Sequence, residues 1–364
     1  MSGSEWYPPP GHQPAGPPPP PPGWTPPLEQ RPAWAPPPGA PAYPAPGMLG
    51  AAHKPGALPL RPLGLGDIYD AAFKVIRFNP KATVGAAVLV AAVAMAVPML
   101  AAAAVTAALG LTLGGNAEVS SSDDAGVLLA VGSILVGSVL QYVGLVFVTG
   151  MISHVVAAAA IGRRLSLGEA WAATRGRRWR LIGLTVVIGL IWMVTIVALV
   201  VVSVLVVVLI DVTAVSVVYF VVMGPTALAL CLWLWIRVTY LAVPALMLER
   251  IGILAALGRG FRLTSRQFWR TLGIALLTLL VTSIAAQLLT VPFSIAGMVA
   301  TIGMGDSVAG LLVYLGANAL GTVASTAFVA PFTSAVTSVQ YLDQRMRKEA
   351  YDVELMAQAG IASA

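Results

Sequence analysis

"SLGEAWAATRGRRWRLIG", residues 166–183, holds four arginines and two tryptophans and runs directly into the uncharged apolar stretch 181–209. Such a segment suits a nucleic-acid surface, part of an active site or the edge of a membrane. Its surroundings decide among them. Hydrophobic residues make up 58% of the 364-residue chain and charged residues 10%, with a mean hydropathy of +0.85. That composition is foreign to soluble domains and marks a membrane protein. The formal charge of +6 would point to nucleic acid only if the cations formed one field on a recognition fold.

Apolar stretches long enough to span lie at about 82–109, 125–161, 181–209, 212–248, 271–300 and 307–342. A hydrocarbon core of about 30 Å needs about 20 helical residues, so six transmembrane helices are predicted. The loops near 110–124, 210–211 and 301–306 carry Glu118, Asp123, Asp124, Asp211 and Asp306 and no Lys or Arg. The opposite segments carry Lys74, Arg77 and Lys81, then Arg163 through Arg180, Arg250 through Arg270, and Arg345, Arg347 and Lys348. The positive-inside rule then places both termini in the cytoplasm of a multi-pass protein of the inner (plasma) membrane. Arg237 lies inside the fourth stretch, 26 residues beyond Asp211. At ~1.5 Å per residue that is about 39 Å, past the hydrocarbon and at the inner interface. Trp233, Trp235 and Tyr240 around it read as an aromatic belt, although an intramembrane functional arginine is the alternative.

The opening stretch belongs to a threefold pattern. Residues 64–81 place Leu65, Ile68, Tyr69, Ala72, Phe73 and Ile76 on one helical face and Asp67, Asp70, Lys74 and Arg77 on the other. At 166, Leu167, Ala170, Trp171 and Thr174 form a weaker face, and Ser166 with Glu169 has capping-box spacing. At 252, Ile253, Leu257, Phe261, Thr264 and Phe268 form the apolar side, against a basic stripe of Arg259, Arg262 and Arg266. The predicted fold is therefore all-α and integral to the membrane, built as three units of an amphipathic helix followed by a two-helix hairpin. Each amphipathic helix is expected in the headgroup plane, its cations near anionic lipid. Arg175, Arg177, Arg178, Arg180, Arg259, Arg262, Arg266 and Arg270 are the candidate headgroup contacts.

Residues 1–62 are different material, with 22 of the 28 prolines and almost no aliphatic side chains. They are expected to form a disordered, polyproline-rich cytoplasmic tail. Trp6, Trp24 and Trp34 each stand two residues before a proline pair or triplet, as docking positions for protein partners or as marks in a solvated spacer. Residues 343–364 are expected to form a short second cytoplasmic tail.

No catalytic constellation, metal site or cofactor fingerprint is read from the chain. His12 and His53 lie in the tail and His154 near the inner end of the second span, without ligand spacing between any two. Cys231 is alone, so no intrachain disulfide forms. Gln141, Thr149, Ser153, Gln287, Asn318, Thr322, Ser325 and Thr326 lie within spans, where they either line a cavity or join helices. His154, Arg237, Gln287 and Asn318 are the weak intramembrane candidates.

The segment 237–273 carries Pro244, Ala245, Leu248 and Glu249, then Ala256, Leu257, Arg259, Phe261 and Leu263, then Phe268, Trp269, Arg270, Leu272 and Gly273. This pattern resembles the membrane-domain family of bacterial glycerophosphoryl diester phosphodiesterases and its stand-alone, proline-rich relatives in actinobacteria. "PLGLGDIYDAAFKVIRFNP" at 62–80 is similar to the start of that domain. The family usually has Arg-Ser where this chain has Arg259 and Gly260. Only about twenty residues follow the last predicted span, whereas a phosphodiesterase barrel needs roughly 250. The resemblance thus implies the membrane fold and a lipid-facing setting, without the enzymatic activity.

The expectation from the sequence is a non-enzymatic membrane scaffold or adaptor that engages anionic lipid and cytoplasmic partners and no nucleic acid. A small-solute or lipid transporter, or the membrane component of a lipid- or phosphodiester-metabolising system, are the alternatives. No oligomeric state is implied.

Overall fold

A computed structural model describes residues 56–112, 124–209, 213–304 and 308–360. Trp6, Trp24, Trp34, His12 and His53 lie outside the described residues. Among the described residues every regular element is helical.

The first amphipathic segment is α1, Leu65–Phe78, followed by α2, Pro80–Thr112. Pro80 explains the break, since a residue before proline is pushed out of the helical region and proline itself suits a first helical position. Asn79 accordingly has φ −132° and ψ 59°, and the two helices meet at 87°. The buried face of α1 is Ile68, Ala71, Ala72 and Val75. It is rotated from the predicted face, because Leu65 and Phe73 are exposed while Tyr69 and Ile76 are half-buried.

Next come α3, Asp124–Ala160, and the short α4, Leu167–Ala173. The capping box is present: Ser166 Oγ accepts from the Glu169 N–H at 3.2 Å and Glu169 Oε2 accepts from the Ser166 N–H at 2.7 Å. The Ser166 backbone N–H first, and its side chain second, hold the Glu169 carboxyl below its ordinary pKa. Gly176, at φ 81°, then turns the chain into α5, Arg178–Leu209.

The fourth predicted span is one long helical run with an irregular middle. α6, Thr213–Leu234, passes into a π-helical turn, Trp235–Thr239, and then α7, Ala242–Glu249. Pro244 falls in the first turn of α7, where its missing N–H costs no helical bond. Two further helices carry the third unit, α8, Ile253–Thr264, and α9, Phe268–Met304.

The last helix, α10, runs from Val308 to Glu349 and is followed by α11, Tyr351–Gln358, where the sequence led us to expect a tail. Ion pairs at i, i+4, Asp343 with Arg347 at 2.9 Å and Arg345 with Glu349 at 3.1 Å, carry the helix past its apolar part.

Five helices, Leu135–Ala160, Arg178–Leu209, Val217–Glu249, Phe268–Met304 and Leu312–Glu349, are long and apolar enough to cross a membrane. The bent pair Leu65–Phe78 and Pro80–Ala96 makes six if counted as one span. By length and composition this is a multi-pass helical membrane protein.

Packing is organised around α10. Gln141 Nε2 donates to Thr326 Oγ1 at 3.3 Å, Thr149 Oγ meets Ser334 Oγ at 2.9 Å and Ser153 Oγ meets Ser338 Oγ at 3.0 Å, every pair separated by 185 residues. A constant separation means that α3 and α10 run parallel and in register. Against α9 the order is reversed: Ser294 donates to Asn318 at 2.9 Å, and Gly321 sits against Thr290 and Phe293. Small and hydroxyl-bearing residues let these helices approach and join, as apolar surfaces alone do not in lipid.

Candidate anion-binding cavity

Most of the arginines gather at one end of the bundle, where the short helices meet the ends of the long ones. Three arrangements hold six of them, with Arg270 and Arg347 taking part in two.

The first is a clasp around Asp343, which is fully buried. Arg270 Nη1 reaches Asp343 Oδ2 at 2.6 Å, and Arg347 Nε reaches Oδ1 at 2.9 Å. The backbone of Leu63 completes it, donating its N–H to Asp343 Oδ1 at 2.7 Å. Its carbonyl accepts from Arg270 Nη2 and Arg347 Nη2, each at 2.6 Å. A buried carboxylate needs such multiple donors to offset its lost hydration. The start of the folded domain is thereby tied to α9 and α10.

The second is a network at the α7–α8 corner. Arg259 Nε donates to Glu249 at 2.8 Å and Nη2 to Glu349 at 2.7 Å. Arg345 pairs with the same two carboxylates and stacks on the Tyr351 ring at 3.6 Å. Tyr341 also donates to Glu249. Burial alone would lower the Arg259 guanidinium, but the carboxylates of Glu249 and Glu349 hold it above its ordinary value.

The third is a cavity of about 540 Å³ at the foot of α9, lined by Arg237, Arg266, Gln267, Phe268, Trp269, Arg270 and Arg347. Local backbone geometry aims the arginines at it. Arg237 lies on the π turn, and its guanidinium stands over Phe261 at 4.9 Å and Phe268 at 5.8 Å. It donates through Nη1 to the Phe261 carbonyl at 3.4 Å, while its Nε is buried without a partner. Arg266 occupies the left-handed region at φ 64°, in the turn between α8 and α9. A non-glycine residue held there carries strain of about 1–3 kcal/mol, a feature that collects at binding sites.

Gln267 precedes α9 and leaves its own Oε1 buried without a partner. No side chain caps the first-turn N–H groups of Phe268, Trp269 and Arg270 among the described residues, so the positive end of a 37-residue helix faces the cavity wall. Lys348 adds a cation next to the same turn, donating to the carbonyls of Arg262 at 2.8 Å and Ser265 at 2.6 Å. Four arginines are set against the single carboxylate of Asp343, and none of the lining side chains is acidic.

The other predicted residues divide by exposure. Arg175, Arg180 and Arg262 are exposed. Arg177 is half-buried and donates to the Met247 carbonyl; burial, then the charges of Arg250 and Arg180, lower its pKa. Arg178 stacks on Trp171 at 4.0 Å and donates to its carbonyl at 3.0 Å. His154 leaves Nε2 buried without a partner, Asn318 bonds to Ser294 and to the Tyr314 carbonyl, and Gln287 is exposed on α9.

Sequence reasoning had singled out Arg266 and Arg270 from this cavity as headgroup contacts and Arg237 as an intramembrane candidate. It missed Gln267, and it read Arg347 and Lys348 only as orientation signals. Asp343 was unread, although its i, i+4 spacing to Arg347 was available. Among the described residues no group of three or more His, Cys, Asp or Glu could hold a metal. Comparison with family models, with curated proteins and with solved structures returns no match.

Proposed function

We propose that the chain is a six-span membrane scaffold with both termini in the cytoplasm, engaging anionic lipid through its basic end and protein partners through residues 1–62. One observation carries the lipid half. Trp179 and Trp269 are 84% and 79% exposed, and each is the second residue of a long apolar helix, with Arg180 or Arg270 next to it. Indole rings at the foot of a span belong at headgroup level, where neighbouring arginines meet lipid phosphate. The 87° bend before α2 supports an interfacial α1 and a first span in α2. The six-span count and the inward basic end follow from that reading together with the charge bias of the loops.

Crosslinking in cells, with the full chain and with a chain lacking residues 1–62, tests the adaptor half. The partner set is expected to vanish with the tail while the membrane domain still enriches anionic over zwitterionic lipid on extraction. An unchanged partner set removes the adaptor role, and indifference to lipid charge removes the lipid role.

A further inference from the structure

We propose that the cavity at the foot of α9 is a binding site for a phosphomonoester, held by Arg237, Arg266, Arg270 and Arg347 and by the first-turn N–H groups of α9. The cations set the class of ligand. A carboxylate or phosphodiester brings one negative charge, whereas four arginines against one buried carboxylate leave several positive charges to be balanced. A phosphomonoester dianion fits that excess, and its three terminal oxygens accept from donors arriving on different sides.

Here the donors do arrive from different elements: Arg237 from the π turn, Arg266 from the turn before α9, Arg270 from its first turn and Arg347 from α10. Arg237 lines the cavity with Nη1 donating to the Phe261 carbonyl and with its Nη2 making no hydrogen bond among the described residues, which leaves that nitrogen as a donor for a bound anion. The helix N-terminus adds N–H groups and a positive dipole to the same space.

The cavity, at about 540 Å³, is larger than a phosphate group, so the ester's remainder has room beside Phe268 and the exposed Trp269. The ligand is either a lipid headgroup or a water-soluble phosphate ester. The shared chemistry is a terminal phosphate. The lipid source rests on the anionic-lipid reading above, and the soluble source does not.

The test uses the full chain in nanodiscs, with retained lipid read by native mass spectrometry. Arg266→Gln is the principal variant, because Arg266 is exposed and has no ion pair among the described residues. Arg237→Gln is the second, and Arg175→Gln with Arg180→Gln is the surface control. The chain is expected to retain phosphatidate, a phosphomonoester lipid, over phosphatidylglycerol, a phosphodiester. Loss of one charge-assisted contact should lower phosphatidate retention by about tenfold or more in each cavity variant, whereas the surface control, at headgroup contacts outside the cavity, should leave the preference for phosphatidate over phosphatidylglycerol unchanged.

Glycerol 3-phosphate is the soluble probe, added as a competitor and titrated directly onto detergent-solubilised protein. Binding that the cavity variants abolish, without preference for phosphatidate, assigns the soluble source. Phosphatidate preference without competition assigns the lipid. Equal retention of both lipids, lowered by the surface control and not by Arg266→Gln or Arg237→Gln, overturns the site and leaves the scaffold reading standing. If neither probe binds selectively and no anionic lipid is enriched, both fall.

Discussion

The α5–α6 and α9–α10 hairpins are each built from helices long and apolar enough to span a membrane, yet they stand in the molecule differently. Beyond its foot at Leu181, Leu184, Thr185 and Ile188, α5 turns Val194, Val197, Val201 and Val208 outward, and α6 exposes Val217, Val218 and Val221. The most apolar window of each is entirely unburied. The α9–α10 pair instead meets along Gly297, Gly321 and the Ser294–Asn318 bond, and α10 carries the hydroxyl ladder to α3 on its other side. Apolarity admits a helix to the membrane, and small or polar positions decide which helices then associate.

The difference is sharpest at the foot of α10, where Asp343 holds two arginines and the Leu63 backbone. Replacing Asp343 with Ala leaves Arg270 and Arg347 facing each other and the Leu63 N–H without its acceptor. Removing one partner of a buried ionic group costs about 3–5 kcal/mol. The chain in detergent is expected to show that loss in thermal unfolding, whereas Arg180→Gln, at an exposed side chain in the first turn of α5, should stay within about 0.5 kcal/mol. Comparable losses from both would mean that the two feet share one structural role.

Glycines give a second and smaller contrast. A Cβ on Gly321 would lie 3.1 Å from Phe293 Cβ and 3.4 Å from the Thr290 carbonyl, whereas one on Gly189 of α5 meets nothing within 4 Å. Gly321→Val is therefore expected to destabilise by about 1–3 kcal/mol through overpacking. Gly189→Val should be neutral or slightly stabilising, since valine relieves the helical cost of glycine where nothing crowds it. The same unfolding measurement on both variants checks this, and a large loss at Gly189 would show that α5 packs against something in the membrane.

Much of the helical plan was legible, because periodicity, Pro80 and the Ser166–Glu169 box act over a few residues. The π turn in the fourth span was not, since an apolar run through Trp235 and Leu241 carries no local signal for it. Which arginines face outward was equally hidden. Arg259, Arg262, Arg266 and Arg270 look alike in sequence, but Arg259 reaches Glu349, 90 residues away, as well as the nearby Glu249, and Arg270 reaches Asp343, 73 residues away. The cavity joins the π turn, the α8–α9 turn and α10. No local pattern connects residues 237, 266 and 347, whereas contact between their helices does.

The finest contrast concerns single hydroxyls. Ser153 and Ser338 meet at 3.0 Å in the buried seam between α3 and α10. On the exposed hairpin, Ser203 Oγ and Tyr219 Oη stand 3.4 Å apart, and Ser203 also donates to the Leu199 carbonyl of its own helix at 2.8 Å. Interhelical hydrogen bonds in membranes are worth about 0.6 kcal/mol on average, because a hydroxyl that loses its partner falls back on its own helix's carbonyls. Ser153 and Ser338 both have that fallback, to Thr149 and Ser334 at 2.7 Å. A double-mutant cycle with Ser153→Ala and Ser338→Ala is therefore expected to return a coupling of about 0.6 kcal/mol, and the Ser203→Ala, Tyr219→Phe cycle a coupling near zero. If the two cycles agree, the seam is held by close packing of small side chains and its ladder of hydroxyls contributes register alone. If the seam's coupling is the larger, each rung adds stability as well as alignment, and α3 and α10 are bound to one another in a way that α5 and α6 are not.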